Sequence, residues 1–374
     1  MRPKAPFAAR PATARRDSLP PMPRIKAAPE DFIVEELPLY APSGAGEHTW
    51  VEVEKRLRTT EEVASELAAA AAVDAVRVGW AGRKDRDAVT RQWLSVPGLT
   101  PARAEQLTGD GWRVLRAAAH GERLRLGELV ANRFRIVVRD VDEAAASAAV
   151  ERLTAIARDG LPNYFGEQRF GRGEGNQGRE PAASTDAAER TPERPRGRGG
   201  NVTLGAALLR GERVEGGRRQ QRLYLSALQS AIFNEVLRTR PAPPHVLLAG
   251  DLALVHGSGA LLLAGSPALP PAAWAERTAR FEVSPTGPLV GHKMRAPRGE
   301  ALARERAAAE RFGMPWVTDL PRLRGHLLPG GRRPLRVGVT DVAHRCLDGD
   351  ALELGFVLPP GGYATVLVDA LFPS

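Results

Sequence analysis

The sequence predicts an α+β fold in which a mixed-sheet domain is interrupted by an inserted α/β lobe. Three observations lead there. Strand-like runs gather at both ends of the 374 residues. An alanine-rich helical stretch stops at Gly160-Leu161-Pro162, punctuation that marks a boundary. The block after it carries its own long helical patterns. Terminal strands that share one sheet across such a block require an insertion, placed at residues 161–321, with residues 24–160 and 322–374 forming the first domain. The length suits about two domains, and 43% hydrophobic residues suit a globular core.

The elements follow in order. Residues 24–37 and 47–55 read as strands, the second from its alternation through Trp50, Val51 and Val53. Thr59 with Glu62 is a capping-box pair, opening a helix that runs to about residue 72. Residues 76–80 and 92–96 are short strands flanking a charged loop, and 114–119 and 134–138 are further strands. Residues 142–157, 223–238 and 300–312 are helical patterns. Residues 335–339, 352–358 and 363–368 are expected as closing strands of the first sheet.

A net charge of +9 fits an acidic polymer as partner, or a surplus that serves solubility alone. The lone cysteine, Cys346, excludes an internal disulfide framework, and seven scattered histidines give no zinc spacing. His344 stands two residues away, a spacing better explained by chance than by a thiolate pair. No apolar run reaches the ~20 residues needed to span a bilayer, so a membrane partner is not expected. A cytoplasmic location is expected, with no obligate protein partner. Residues 1–23 are rich in Arg, Pro and Ala, and read as a disordered basic tail. Residues 177–200 lack periodicity and end in Arg194-Pro195-Arg196-Gly197-Arg198, which reads as a flexible loop. Gly173-Glu174-Gly175-Asn176-Gln177-Gly178 spells GxGxxG without the strand and helix a dinucleotide site needs, so it is set aside.

Residues 79–96 are the most informative stretch. They set Asp85 among Arg83, Lys84, Arg86 and Arg91, ahead of an apolar strand. Nearby cations favour the ionised carboxylate, and the same cations can hold a polyanion against it. The bland alternative is an aspartate that caps a turn or pairs with Arg86 or Arg91. Asp87 is a rival carboxylate, expected to pair with a local arginine. Arg83, Arg86 and Arg91 are candidate RNA phosphate contacts, since such side chains mainly position a nucleic-acid backbone, and Lys26 and Lys84 are candidate phosphate or substrate contacts. Asn132 and Phe134 share one face of a strand. Such a pair can read a nucleobase by edge and stack, or is simply a core ring beside a satisfied amide. Tyr164-Phe165 and Gln168-Arg169-Phe170 make an aromatic and basic cluster that is either an RNA contact or a hinge between the domains.

Ala81-Gly82-Arg83-Lys84-Asp85-Arg86-Asp87-Ala88-Val89-Thr90-Arg91-Gln92-Trp93 resembles the catalytic motif of the TruD family of tRNA pseudouridine synthases. Asp31-Phe32-Ile33-Val34-Glu35-Glu36, Pro162-Asn163-Tyr164-Phe165-Gly166-Glu167-Gln168-Arg169-Phe170-Gly171, Leu225-Ser226-Ala227-Leu228-Gln229-Ser230-Ala231-Ile232-Phe233-Asn234 and Phe356-Val357-Leu358-Pro359 through Tyr363-Ala364-Thr365 resemble its other motifs, in order. The resemblance implies a pseudouridine-synthase-like mixed-sheet catalytic domain with an inserted α/β TRUD domain. It implies isomerisation of uridine, at position 13 of tRNA, by cleavage of the N-glycosidic bond and rejoining through C5. It assigns the catalytic carboxylate to Asp85, and the substrate pocket to Phe32, Asn132, Phe134 and Phe356. Such chemistry needs no metal and no redox cofactor. Two other readings stay open: an inactive RNA-binding protein of the same fold, and an enzyme acting on another phosphorylated substrate.

Overall fold

The computed structural model describes residues 23–171, 200–265, 270–316 and 328–373. The expected tail and the expected loop, apart from Pro23 and Gly200, lie outside the described residues, as does the GxGxxG stretch. The strands are β1 (Phe32–Pro38), β2 (His48–Arg56), β3 (Gly79–Trp80), β4 (Val89–Pro97), β5 (Thr108–Gly109), β6 (Trp112–His120), β7 (Leu129–Arg139), β8 (Leu161–Pro162), β9 (Leu252–Val255), β10 (Leu261–Leu263), β11 (Val283–Leu289), β12 (Gly331–Pro334), β13 (Arg336–Val337), β14 (Thr340–Leu347) and β15 (Ala351–Leu358). The helices are α1 (Thr60–Ala70), α2 (Pro101–Ala104), α3 (Glu143–Asp159), α4 (Asn201–Leu209), α5 (Arg218–Arg238), α6 (Pro271–Ala279), α7 (Gly299–Arg311) and α8 (Ala364–Leu371).

One nine-stranded sheet runs β14-β15-β7-β1-β4-β2-β6-β5, with β3 on β4. In this sheet only β1 and β4 pair in parallel; the other neighbours are antiparallel. Alternation along each strand separates two faces. Phe32, Val34, Phe134, Ile136, Leu354 and Phe356 point to the side covered by α3 and α8. Val51, Val53, Leu94 and Val96 point to the same side, beneath Val63 and Leu67 of α1. The other face carries a buried cluster with Trp50 and Trp93 and, beside it, a charged row. Arg113, Glu54, Arg91, Glu35 and Arg133 lie in register across five strands, joined by Arg113–Glu54, Arg91–Glu54 and Arg133–Glu35 ion pairs at 2.7, 2.9 and 3.0 Å.

α1 begins as the sequence predicts: Thr59 accepts from the Glu62 N–H while the Glu62 side chain returns to the Thr59 N–H. The chain end departs from expectation. Residues 363–368 are not a closing strand but the start of α8, because Ala364, Leu367, Val368 and Leu371 fall at helical spacing and are buried. Residues 335–339 do not join the first sheet either: β13 pairs with β8 in a ribbon of its own.

The second lobe holds the sheet β10-β9-β11-β12 and the long helix α5. Leu225, Leu228, Ile232 and Val236 recur along α5 and pack on Val290, Ala308 and Ala309. Since β12 still belongs to this sheet, the crossing back to the first sheet falls after residue 334, later than the 321–322 boundary read from the sequence. No helix among the described residues is long and apolar enough to cross a membrane.

Candidate active site

The site forms where β1 and β4 begin side by side. Phe32 meets Phe134 edge-on at 6.1 Å, and Phe134 stacks on Phe356 at 5.3 Å. All three rings belong to the core, at 4%, 8% and 1% exposure. They form a floor rather than an open pocket wall, with Phe134 the most accessible of the row. Phe134→Ala therefore loses packing as well as any stacking surface, about 3–5 kcal/mol of stability. Phe134→Leu separates the two roles: it should cost less than about 1.5 kcal/mol in a denaturation curve, while turnover falls by more than tenfold. Equal, small effects on both would leave Phe134 a core residue only.

Above this floor, residues 82–87 are tied down at several points. Gln92 Nε2 donates to the Gly82 carbonyl at 3.2 Å, and the Lys84 N–H donates to Thr60 Oγ1 at 3.0 Å. Lys55 Nζ donates to the Asp85 carbonyl at 2.8 Å and to the Arg58 carbonyl at 2.6 Å. The Asp85 carboxylate remains about a third exposed and pairs with Lys26 Nζ, while its Oδ1 accepts from the Asp87 N–H at 3.1 Å. Lys26 reaches it from a left-handed backbone position, φ 57°, with Nζ 4.4 Å from the Phe32 ring centroid. Such a conformation costs a non-glycine residue roughly 1–3 kcal/mol, so the surrounding structure must impose it. Asp87 forms no ion pair among the described residues, contrary to the expectation of an arginine partner.

Lys84 corrects the sequence reading. Its side chain is buried against an equally buried Glu36, which already holds its charge inside the protein. Burial pushes the Glu36 carboxyl up, against the pull of Lys84. Asn132 lies opposite Glu36 in the β1–β7 register, and its buried Oδ1 has no partner in the protein. Buried acceptors are normally satisfied, and this one is an exception.

The arginines disperse. Arg83 is exposed and paired with Glu61. Arg86 is exposed and carries no ion pair among the described residues. Arg91 lies on the charged far face with Glu54, not beside Asp85. Sequence reading missed Glu36 and Lys55. Both left a signal, a charged residue two places beyond apolar residues on the covered face of a strand (Phe32, Val34, Glu36; Val51, Val53, Lys55).

Lys55 is 1% exposed, and burial pushes its ammonium down from 10.5 to about 8. The charged groups around it are the Asp85, Glu61 and Glu62 carboxylates and the Lys84 ammonium. The unfolded chain keeps this proton to higher pH than the folded one, so stability rises with pH between the two values. Relative to Lys55→Met, wild type should gain about 3 kcal/mol from pH ~8 to ~10.5, read from denaturant midpoints. A flat difference across that range would refute it.

The family model for tRNA pseudouridine synthase D (TruD) matches residues 18–177 and 217–370. A protein of Anaeromyxobacter sp. (strain Fw109-5) named tRNA pseudouridine synthase D is 39% identical over 358 residues, covering 94% of this chain and 92% of the relative. Another of that name, from Anaeromyxobacter dehalogenans (strain 2CP-C), is 41% identical over 355 residues, covering 93% and 92%. The crystal structure assigned to tRNA pseudouridine synthase D from Methanosarcina mazei superposes with a TM-score of 0.71 over 96% of this chain and 95% of that one, at 20% identity, which is a likeness of fold.

Proposed function

Because this chain belongs to the TruD family of tRNA pseudouridine synthases, we propose that it converts a uridine of tRNA to pseudouridine at Asp85. The observation that carries this reading is the placement of one part-exposed carboxylate, in a loop tied down on several sides, beside an aromatic floor and an unpaired buried amide oxygen. The target nucleotide has to leave its stack to bring its glycosidic carbon to the carboxylate. The uracil would then lie over Phe134, flanked by Phe32 and Phe356, with its N3–H donated to Asn132 Oδ1. Asp85 would attack or stabilise the sugar carbon while the N-glycosidic bond breaks. The freed base turns and rejoins through C5, which releases any bond from Asp85 to the sugar carbon; the C5 proton is lost and N1 gains one, so the isomerisation is balanced. Lys26 must yield its contact with Asp85 as substrate arrives, and is then placed to meet a phosphate or the base.

In the same proposal the nine-stranded sheet domain is catalytic, and the lobe from residue 161 to about residue 334 is the TRUD insertion. Arg83 and Arg86, on the outer side of the Asp85 loop, would contact phosphate; Arg91 would do so only for RNA that reaches the far face. The site of modification implied by the resemblance is uridine 13. Incubation with unmodified tRNA, followed by mapping of pseudouridine, tests all of this. Conversion at one uridine is expected, at position 13. Tight tRNA binding without conversion would instead support an RNA-binding protein of this fold.

A further inference from the structure

We infer that Arg169 and Arg333 together hold a phosphodiester of the tRNA backbone at the seam between the two lobes. The inference rests on tRNA being the substrate. Arg169 belongs to the segment that leaves the first sheet and Arg333 to β12. Both guanidiniums approach the ring of Phe165, at 5.6 and 4.1 Å from its centroid. Phe165 is itself fixed: its N–H donates to Asn234 Oδ1 at 2.9 Å, and Asn234 Nδ2 donates back to its carbonyl at 3.0 Å. Tyr363, from the loop after β15, meets the same ring at 6.4 Å. The pair therefore sits on a rigid aromatic platform shared by both lobes.

The charge there is unbalanced. Neither arginine has a carboxylate within ion-pair distance among the described residues. Arg169 donates to the hydroxyls of Ser226 and Ser230. Arg333 donates to Asn163 and to the Gly361 carbonyl, the latter at 3.0 Å. Those bonds use Nε and Nη2 and leave Nη1 of each unbonded, yet neither Nη1 is among the buried unsatisfied atoms. Each thus presents a donor to solvent. Other enclosed arginines are unlike this: Arg332 pairs with Glu305 and Arg240 with Asp251. Arg336 has no carboxylate pair but spends all three nitrogens on protein oxygens. Burial pushes Arg333 down to about 10, opposed by Tyr363 and aided by the neighbouring Arg169. Two guanidinium forks with free donors suit a phosphate oxygen pair.

The test is Arg169→Gln in the full chain, with tRNA affinity measured from about 50 to 200 mM salt. Affinity should fall about tenfold near 100 mM, and the slope of log K against log salt should become shallower by about one. Arg169→Lys, which keeps the charge, should retain the wild-type slope. An unchanged slope in Arg169→Gln overturns the inference, whatever happens to Tm or affinity. So does binding of uridine monophosphate that depends on Arg169 when tRNA binding does not. Wild type that neither binds tRNA nor converts uridine refutes the functional reading instead. Wild-type conversion with an Arg169-independent slope refutes this inference alone.

Discussion

Asp85→Asn is expected to abolish pseudouridine formation, a loss of roughly 10⁴-fold in kcat, while tRNA affinity changes less than about threefold. The substitution is nearly isosteric. The new amide oxygen can still accept from the Asp87 N–H, and the bond from Lys55 goes to the backbone carbonyl, which is unchanged. What disappears is the negative charge and the nucleophilic oxygen. Loss of the Lys26 pair is a small term at a site this exposed, and it frees one cation to meet RNA. Wild-type and variant protein assayed together on unmodified tRNA, with affinity from a gel shift, decide the matter. Normal product from the variant would remove Asp85 from the chemistry.

Lys84→Met is expected to damage the fold severely. It strands the Glu36 carboxylate, whose side chain has no exposure at all. Breaking one partner of a buried pair costs about 3–5 kcal/mol. The remaining hydrogen bond, from the Trp93 N–H at 3.3 Å, is long and cannot replace an ammonium. Glu36 already titrates above its usual range, and loss of Lys84 raises it further. A carboxyl whose folded pKa is raised favours folding while protonated, and that advantage fades as pH rises through the folded value. The stability deficit of Lys84→Met should therefore be smaller near pH 5 than near pH 8. Glu36→Leu combined with Lys84→Met should recover most of the loss, since an apolar pair of similar volume often replaces a buried ion pair without cost. A deficit that ignores pH, or a double variant no better than the single, would sink this account.

The local chemistry of the first half was legible. A capping box names its own helix, and alternation names β2 because Val51 and Val53 face the core beneath α1 while Glu52 and Glu54 face the other side. Residues 363–368 misled because Val366 and Val368 carry β propensity, whereas burial beside α3 selects the helical spacing. Propensity is local, and the partner surface that overrides it is not visible in one segment. The same limit applies at the site. Charge and spacing put Asp85 forward, but they assigned Lys84 and Arg91 to a phosphate surface. Only the fold reveals that Lys84 pairs with Glu36 in the interior and that Arg91 faces Glu54 across the sheet. The hinge and RNA readings of the Phe165 cluster also needed the third dimension, because Arg333 and Tyr363 reach it from far along the chain.

The sheet order has a consequence for biosynthesis. β7 pairs with β1 on one side and with β15 on the other. About 210 residues separate Arg139 from Ala351, so a ribosome adding 5–20 residues per second leaves the outer edge of β7 bare for roughly 10–40 s. During that interval the row Phe134, Ile136 and Val138 has no cover from α8, and the open hydrogen-bonding edge of the strand can recruit a strand from another nascent chain. On that strand Arg133 and Arg139 can already pair with Glu35 and Asp31 from the earlier chain, whereas the partner of Arg135, Glu353, has yet to emerge, so Arg135 is the charge left to discourage edge pairing while the strand waits.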